Sequence, residues 1–351
     1  MNRAKFRELV FDRDEHTCVI PWCSRDAVDA HHLIERELWE SGGYIPENGV
    51  SVCNMHHQYA EECYIPPQAF WRWIGIKNPI VPQQYESTSI DKWGNSLDTP
   101  PHEELRSFHK YPSSRHLHPL YWHSARGSAD ERTGRDDTGL NEVDPFLDVP
   151  LVCTIKMDGS NAMLVHDTDE PVRARNGSDA DHESFDYLKE VYWEKYVYET
   201  LPSNLQVFGE WLYAKHSIHY GCQCDELCED VGPMLHDYFQ VFGIFDTDYN
   251  VWLSWPETEH WAEKLGFPTT PIVDEHTRDE NSYTDERKFV RHYTEEAERI
   301  VDMGHEGIVI RSKFPFHYGE FGQRLGKYVR PNHVKTDEHW SHQSITPNEL
   351  R

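Results

Sequence analysis

The 351-residue chain carries 61 acidic against 34 basic side chains, a formal charge of -27. That excludes a generally basic nucleic-acid-binding surface and leaves only local cationic grooves or bound cations for such a role. The length suffices for two or three domains with substantial cores. No apolar run approaches the roughly 20 residues that span a bilayer, and no signal peptide is evident, so the expectation is a soluble cytoplasmic protein. Arg3 to Asp14 reads as an amphipathic helix with Phe6, Leu9 and Val10 on one face. Cys18 and Cys23, then Cys53 and His56, form two short-spaced pairs about thirty residues apart. This is the pattern of a tetrahedral Cys3His zinc site.

Between those pairs come His31-His32, Gly42-Gly43 and Asn48, and His57 follows the second pair. One neutral imidazole can deprotonate water while others hold a cation that stabilises a phosphorane. The order His-His, Asn, His with flanking zinc pairs resembles the HNH nucleases, whose core is a hairpin and helix around one divalent metal. The resemblance implies His32 as general base, His31 and His57 as metal ligands, and Asn48 as the residue orienting the loop that holds the base. His56 stands where that family commonly has a zinc cysteine. A zinc-stabilised binding module without cleavage is the plainer alternative.

Residues 69–105, with Pro79, Pro82 and Pro100-Pro101 and a turn at Asp91 to Asn95, read as a connector. Ser124 to Asp144 reads as a mobile loop. Beyond it, an apolar run from Val149 leads to Lys156-Met157-Asp158-Gly159, and Ala162 to Val165 reads as the next strand. Burying an ammonium is costly unless it is paired or deprotonated. The expectation is therefore a lysine of depressed pKa, nucleophilic near neutral pH. Further strands are expected at Leu205 to Leu212, Tyr238 to Phe245 and Val251 to Leu253, and helices at Pro256 to Lys264 and Glu295 to Met303.

Lys156-x-Asp-Gly, Phe208-Gly209-Glu210, Phe242 to Asp246, Glu306-Gly307 and Lys327 follow one another as do the motifs of covalent nucleotidyltransferases. Lys110-Tyr111-Pro112, the run Leu212 to Tyr220 and the run Gly326 to Trp340 resemble RNA ligases found among phage and bacterial proteins. The resemblance implies an ATP- and Mg2+- (or Mn2+-) dependent enzyme that acts through lysyl-AMP at Lys156. Asp158 and Gly159 belong to its nucleotide-binding turn. Lys327 would hold the alpha-phosphate, Arg175 the phosphate end and Glu210 the ribose. Glu306 would help bind metal, and Phe242, or else Phe245, would stack on adenine. Lys215 and His216 would lie near the nucleic-acid groove, and a second cation beside Lys327 would be Arg324 or Arg330. Only 24 residues follow Lys327, too few for an OB barrel. Cys222, Cys224 and Cys228 suggest either a second zinc or a reduced loop.

The fold class expected is α+β. A zinc-bound ββα-metal module (1–68) and a connector (69–105) precede an ATP-grasp-like nucleotidyltransferase domain (106–351) of antiparallel sheets with flanking helices. The function expected is sealing of 5'-phosphate and 3'-hydroxyl RNA ends, with Zn2+ in the first module and DNA or RNA as its target. The alternatives are a chain in which one activity alone is functional, and a DNA-end ligase.

Overall fold

A computed structural model describes residues 1–98, 110–117, 143–147, 149–166, 170–175, 178, 180–223, 231–276, 285–330 and 345–351. Most of the Ser124 to Asp144 segment, Cys224, Cys228 and residues 331–344 lie outside them. The chain divides into two compact units. The first comprises 1–105 with 246–256 and 314–320, and the second 106–245, 257–313 and 321–351. No helix among the described residues is long and apolar enough to cross a membrane.

In the first unit, helix α1 (Arg3–Arg13) begins at Asn2, whose side chain accepts from the Lys5 amide. Phe6, Val10 and Phe11 bury against Ala30. Strands β1 (Asp29–His32) and β2 (Gly49–Val52) form an antiparallel hairpin in which His31 faces Val50 and His32 faces Gly49. Gly49 is required there, because a Cβ would lie 2.4 to 2.8 Å from Phe6 and Val10 carbons. Helix α2 (Asn54–Glu61) follows directly, and α3 (Pro67–Trp73) buries Phe70 and Trp71. The segment expected as a connector thus belongs to this unit through residue 105. Its turn is an Asx turn in which Asp91 Oδ1 accepts from the Trp93 and Asn95 amides, with Gly94 at φ 85°.

The remaining strands are β3 (Arg115–His116), β4 (Leu151–Lys156), β5 (Ser160–Leu164), β6 (Val172–Ala174), β7 (Leu205–Trp211), β8 (His219–Tyr220), β9 (Val231–Gly232), β10 (Phe239–Asp246), β11 (Val251–Trp252), β12 (Ile272–His276), β13 (Gly307–Ser312), β14 (Phe316–His317) and β15 (Leu325–Val329). Strands β11 and β14 pair antiparallel in the first unit. The second unit holds a five-stranded sheet, β12-β4-β13-β15-β3, antiparallel except where β15 meets β3. It also holds the strand order β10-β7-β5-β6. Helix α4 (Trp255–Leu265) starts and ends within a residue of the sequence expectation. Helix α5 (Glu286–Asp302) begins nine residues earlier than expected. Asp285 caps it, accepting from the Arg287 and Lys288 amides, and Phe289, Val290, Tyr293, Ala297 and Ile300 form its buried stripe.

Candidate functional site

A cavity of about 1060 Å3 lies within the second unit. Residues of three adjacent strands line it, among them Thr154 and Lys156 of β4, Val309 and Arg311 of β13, and Leu325 and Lys327 of β15. Register explains the grouping, since Lys156 pairs with Gly307, and Val309 pairs with both Thr154 and Lys327. Gly307 has no room for a side chain, because a Cβ would collide with the Tyr328 carbonyl. Glu306, the residue before it, is 4% exposed, and its Oε2 lies 2.6 Å from Lys156 Nζ.

That ion pair overturns one expectation. Burial by itself would lower the Lys156 pKa, but the charges of Glu306, Glu210 and Asp158, with the Glu306 hydrogen bond, outweigh it and raise the value. The lysine is held as an ammonium by a ring of carboxylates rather than poised as a free amine.

Glu210, the penultimate residue of β7, pairs with Asn161 and accepts from the Gly159 amide at 3.1 Å. Burial, assisted by the Glu306 charge, pushes its carboxyl up to about 7. Gly159 packs so closely on β7 that a Cβ would sit 2.6 Å from the Trp211 carbonyl oxygen. Asp158 is not among the lining residues. Its carboxylate accepts from the Ile218 amide at 2.6 Å, and its own amide donates to the Tyr220 hydroxyl at 3.0 Å. Burial raises the Asp158 carboxyl to about 6. Asp158 therefore braces the turn from behind.

Phe242 lines the cavity and meets Tyr111 edge-on at 5.0 Å, whereas Phe245 is fully buried and does not line it. Arg175 also lines it and donates to Ser113 Oγ at 2.9 Å. His216 is 3.2 Å from Ser160 Oγ, and both are lining residues. Lys215 is not; its amide donates to the Thr346 carbonyl. Neither Arg324 nor Arg330 is a lining residue, though the Arg330 amide donates to the Glu306 carbonyl at 2.9 Å. The cation that sequence reasoning missed is Arg311, buried, with Nη1 donating to the Phe242 carbonyl at 3.1 Å. Burial lowers its pKa to about 10. Its two-residue offset from Val309 was the available signal.

The first unit gathers two further donor sets. Cys18 Sγ and Cys53 Sγ lie 3.3 and 3.4 Å from His56 Nδ1, and Cys23 Sγ lies 4.0 Å from Cys53 Sγ. Tetrahedral zinc ligands stand roughly 3.3 to 4 Å apart, so these separations fit that ion. Burial pushes the Cys18 thiol up to about 12, so a thiolate there needs a cation beside it. Separately, His31 Nδ1 and His57 Nε2 lie 3.3 and 3.5 Å from Glu61 Oε1. Glu61, four residues after His57 on α2, escaped the sequence reading, although i,i+4 spacing is the signal for a shared helix face. The His32 ring stacks on Phe6 at 4.5 Å, and its Nε2 is buried without a hydrogen-bond partner among the described residues. Burial lowers both His31 and His32 to about 4. Asn48 is fully buried: Oδ1 accepts from the Ile34 amide, and Nδ2 donates to the Ile34 and Gly43 carbonyls. It ties down the loop that follows His32. Lys92, from the expected connector, is 3% exposed, donates to the His32 carbonyl at 3.0 Å and lies 3.3 Å from Glu61. Cys222 is disulfide-bonded.

A family model described as RNA ligase matches residues 149–329. The chain belongs to the RNA ligase family. The matched span carries β4 to β15, and with them Lys156, Glu210, Phe242, Glu306 and Lys327. Among solved structures, this family member is similar to "Archaeal ATP-dependent RNA ligase - form 1" at 13% identity and a TM-score of 0.40, covering 63% of this chain and 48% of that one. It is also similar to "Naegleria gruberi RNA ligase with PPi" at 16% identity and a TM-score of 0.38, covering 54% and 52%. A putative ATP-dependent DNA ligase from Aquifex aeolicus gives 18% identity and a TM-score of 0.36, covering 53% and 45%. The chain spans about half the length of these structures. No curated protein matches it.

Proposed function

We propose that the second unit is an ATP-dependent RNA ligase that forms lysyl-AMP at Lys156 and joins a 5'-phosphate to a 3'-hydroxyl. One observation carries the reading: Lys156, ion-paired to Glu306, shares one cavity with Lys327, Arg175, Arg311, Glu210 and Phe242. Lys156 Nζ attacks the alpha-phosphorus, so an N–P bond forms, the bond to the bridging oxygen breaks, and pyrophosphate leaves. The AMP passes to a 5'-phosphate, and a 3'-hydroxyl then displaces it. In-line displacement at phosphorus depends on charge neutralisation. Lys327, Arg175 and Arg311 supply fixed positive charge for that purpose, Glu210 would accept from the ribose hydroxyls and Phe242 would stack on adenine. The resting Lys156 is an ammonium and must lose its proton before it attacks. Glu306, when shared with Mg2+ or Mn2+, would hold the ammonium less firmly, and the Lys156 proton would pass to solvent. Incubation with alpha-labelled ATP and Mg2+ tests the step: label retained on the wild-type chain after denaturation, and lost in Lys156→Ala, is expected. A wild-type chain stripped of AMP that takes up no label would end the reading.

The two donor sets of the first unit support a second activity. Cys18, Cys23, Cys53 and His56 would hold structural Zn2+, and His31, His57 and Glu61 a divalent ion of an HNH-type nuclease site acting on DNA or RNA. His32, neutral at pH 7 with an uncommitted buried Nε2, would take the proton from the attacking water. The bound ion would stabilise charge on the phosphate. His32→Ala should abolish cleavage while leaving ligation intact. Cleavage that persists in this variant would exclude His32 as base.

A further inference from the structure

The ligase reading leaves unexplained how so acidic a chain grips RNA. Neutralising phosphates needs basic side chains, and these are outnumbered 61 to 34. A group of aromatic residues at the end of β7 offers a different grip. The rings of Trp211, Tyr213 and Tyr187 are near parallel, at 16°, 29° and 32° to one another with centroids 5.7 to 6.4 Å apart. Tyr238 stands edge-on to all three at 5.3 to 6.2 Å. Trp211 is 1% exposed, with Nε1 donating to the Ser184 carbonyl at 2.7 Å, so the base of the group is fixed. Tyr238 is fixed too, its hydroxyl donating to the Asn348 carbonyl at 2.9 Å. Tyr187, by contrast, is 41% exposed. Its ring belongs to this aromatic group and is still partly open to solvent.

Residues that line the cavity lie close along the chain to this group. Glu210 points into the cavity and Trp211, the next residue of the strand, to the opposite face. Phe185 lines the cavity two residues before Tyr187, and His216 three residues after Tyr213. We propose, resting on the ligase reading, that Tyr187 and Tyr213 form a stacking platform for unpaired bases of the RNA strand whose end occupies the cavity. Stacking is tolerant of sequence, because every base has a π-face, and it needs no positive charge. It therefore suits a chain of this composition. A purely base-paired end would leave the platform unused.

The test measures binding of a short labelled single-stranded RNA bearing a 5'-phosphate, and of the same strand with abasic sugars near that end. The wild type is compared with Tyr187→Ala/Tyr213→Ala and with Tyr187→Phe/Tyr213→Phe. Stacking on aromatic rings predicts that the alanine variant binds the normal strand about 5- to 150-fold more weakly per base lost. The phenylalanine variant should bind like the wild type. The abasic strand should cost the wild type the same factor and cost the alanine variant nothing further. Labelling of Lys156 by ATP should be unchanged in both variants, which also reports that the unit is folded. A wild-type chain that binds both strands equally, or an alanine variant that binds RNA undiminished, overturns the platform. Absence of lysyl-AMP in the wild type would instead count against the ligase reading, with the RNA-binding comparison still standing by itself.

Discussion

Replacing Glu306 by Gln should separate two effects that act on Lys156 in opposite directions. The carboxylate lies 2.6 Å from the ammonium. At an effective dielectric constant of about 20, two unit charges at that distance attract by roughly 6 kcal/mol. The Lys156 side chain keeps a quarter of its exposure, and Glu210 remains beside it. Solvent screening and this second carboxylate leave a net change well below that bare attraction. The sign is downward, since a neutral amide no longer favours the charged lysine. The variant should react faster than wild type with a small amine-directed acylating reagent at pH 8, and peptide mapping would place the adduct on Lys156. Its pH midpoint should fall, because the neutral amide no longer favours the charged form. Adenylation by ATP should nevertheless drop, because the carboxylate that would share the divalent ion has gone. A midpoint that stays put or rises would show that the Glu306 pair does not control the Lys156 proton.

Other perturbations give equally definite expectations. Glu210→Gln should stabilise the ligand-free protein at pH 8 by up to about 2 kcal/mol. Glu210 has its folded pKa raised to about 7, so the folded state loses stability as pH rises from the unfolded carboxylate value through 7; melting temperatures at pH 5 and pH 8 should therefore converge in the variant. Asn48→Ala leaves the Ile34 amide and the Ile34 and Gly43 carbonyls without their partner. It should lower stability by about 2–4 kcal/mol, read from the urea midpoint, while the zinc content stays constant. Cys53→Ser, or treatment with a chelator, should release one equivalent of zinc and lower the melting temperature of the first unit, with lysyl-AMP formation unaffected. An unchanged melting profile after chelation would exclude a structural metal there.

The parts that were legible in the sequence are those whose chemistry is local. The Cys and His pairs could be read because zinc sites use short spacings, and they fall within reach of one another. The N-terminal helix was legible from its apolar spacing, and its end matched to within a residue. Helix α5 was shortened in the reading because its first turns depend on the Asp285 cap and on Phe289, which a window placed at Glu295 never includes. The pKa direction of Lys156 was out of reach for a different reason. It depends on residues 54 and 150 positions downstream, and burial alone would give the opposite sign. The partner of Asp158 was out of reach in the same way, because it is the Ile218 amide, 60 residues on. Lys92 and Glu61 were passed over because each looks ordinary until it is seen beside His31 and His32.

Strand order explains why motifs so far apart in the chain come together. Strand β13 lies between β4 and β15, so its residues face both neighbours. Gly307 is paired with Lys156 on one side and Val329 on the other, and Val309 with Thr154 and Lys327. A one-residue slip of β13 would turn Val309 and Arg311 to the opposite face, and would carry Glu306 away from Lys156. Gly307 resists such a slip, since the Tyr328 carbonyl occupies the space that any larger residue in that position would need. Gly307→Ala should therefore damage both fold and site. The milder Val309→Ala, which keeps the register, should leave the Lys156–Glu306 pair and its proton in place. The order of motifs along the chain is thus the linear trace of a single register, and the central strand sets which carboxylate meets the lysine.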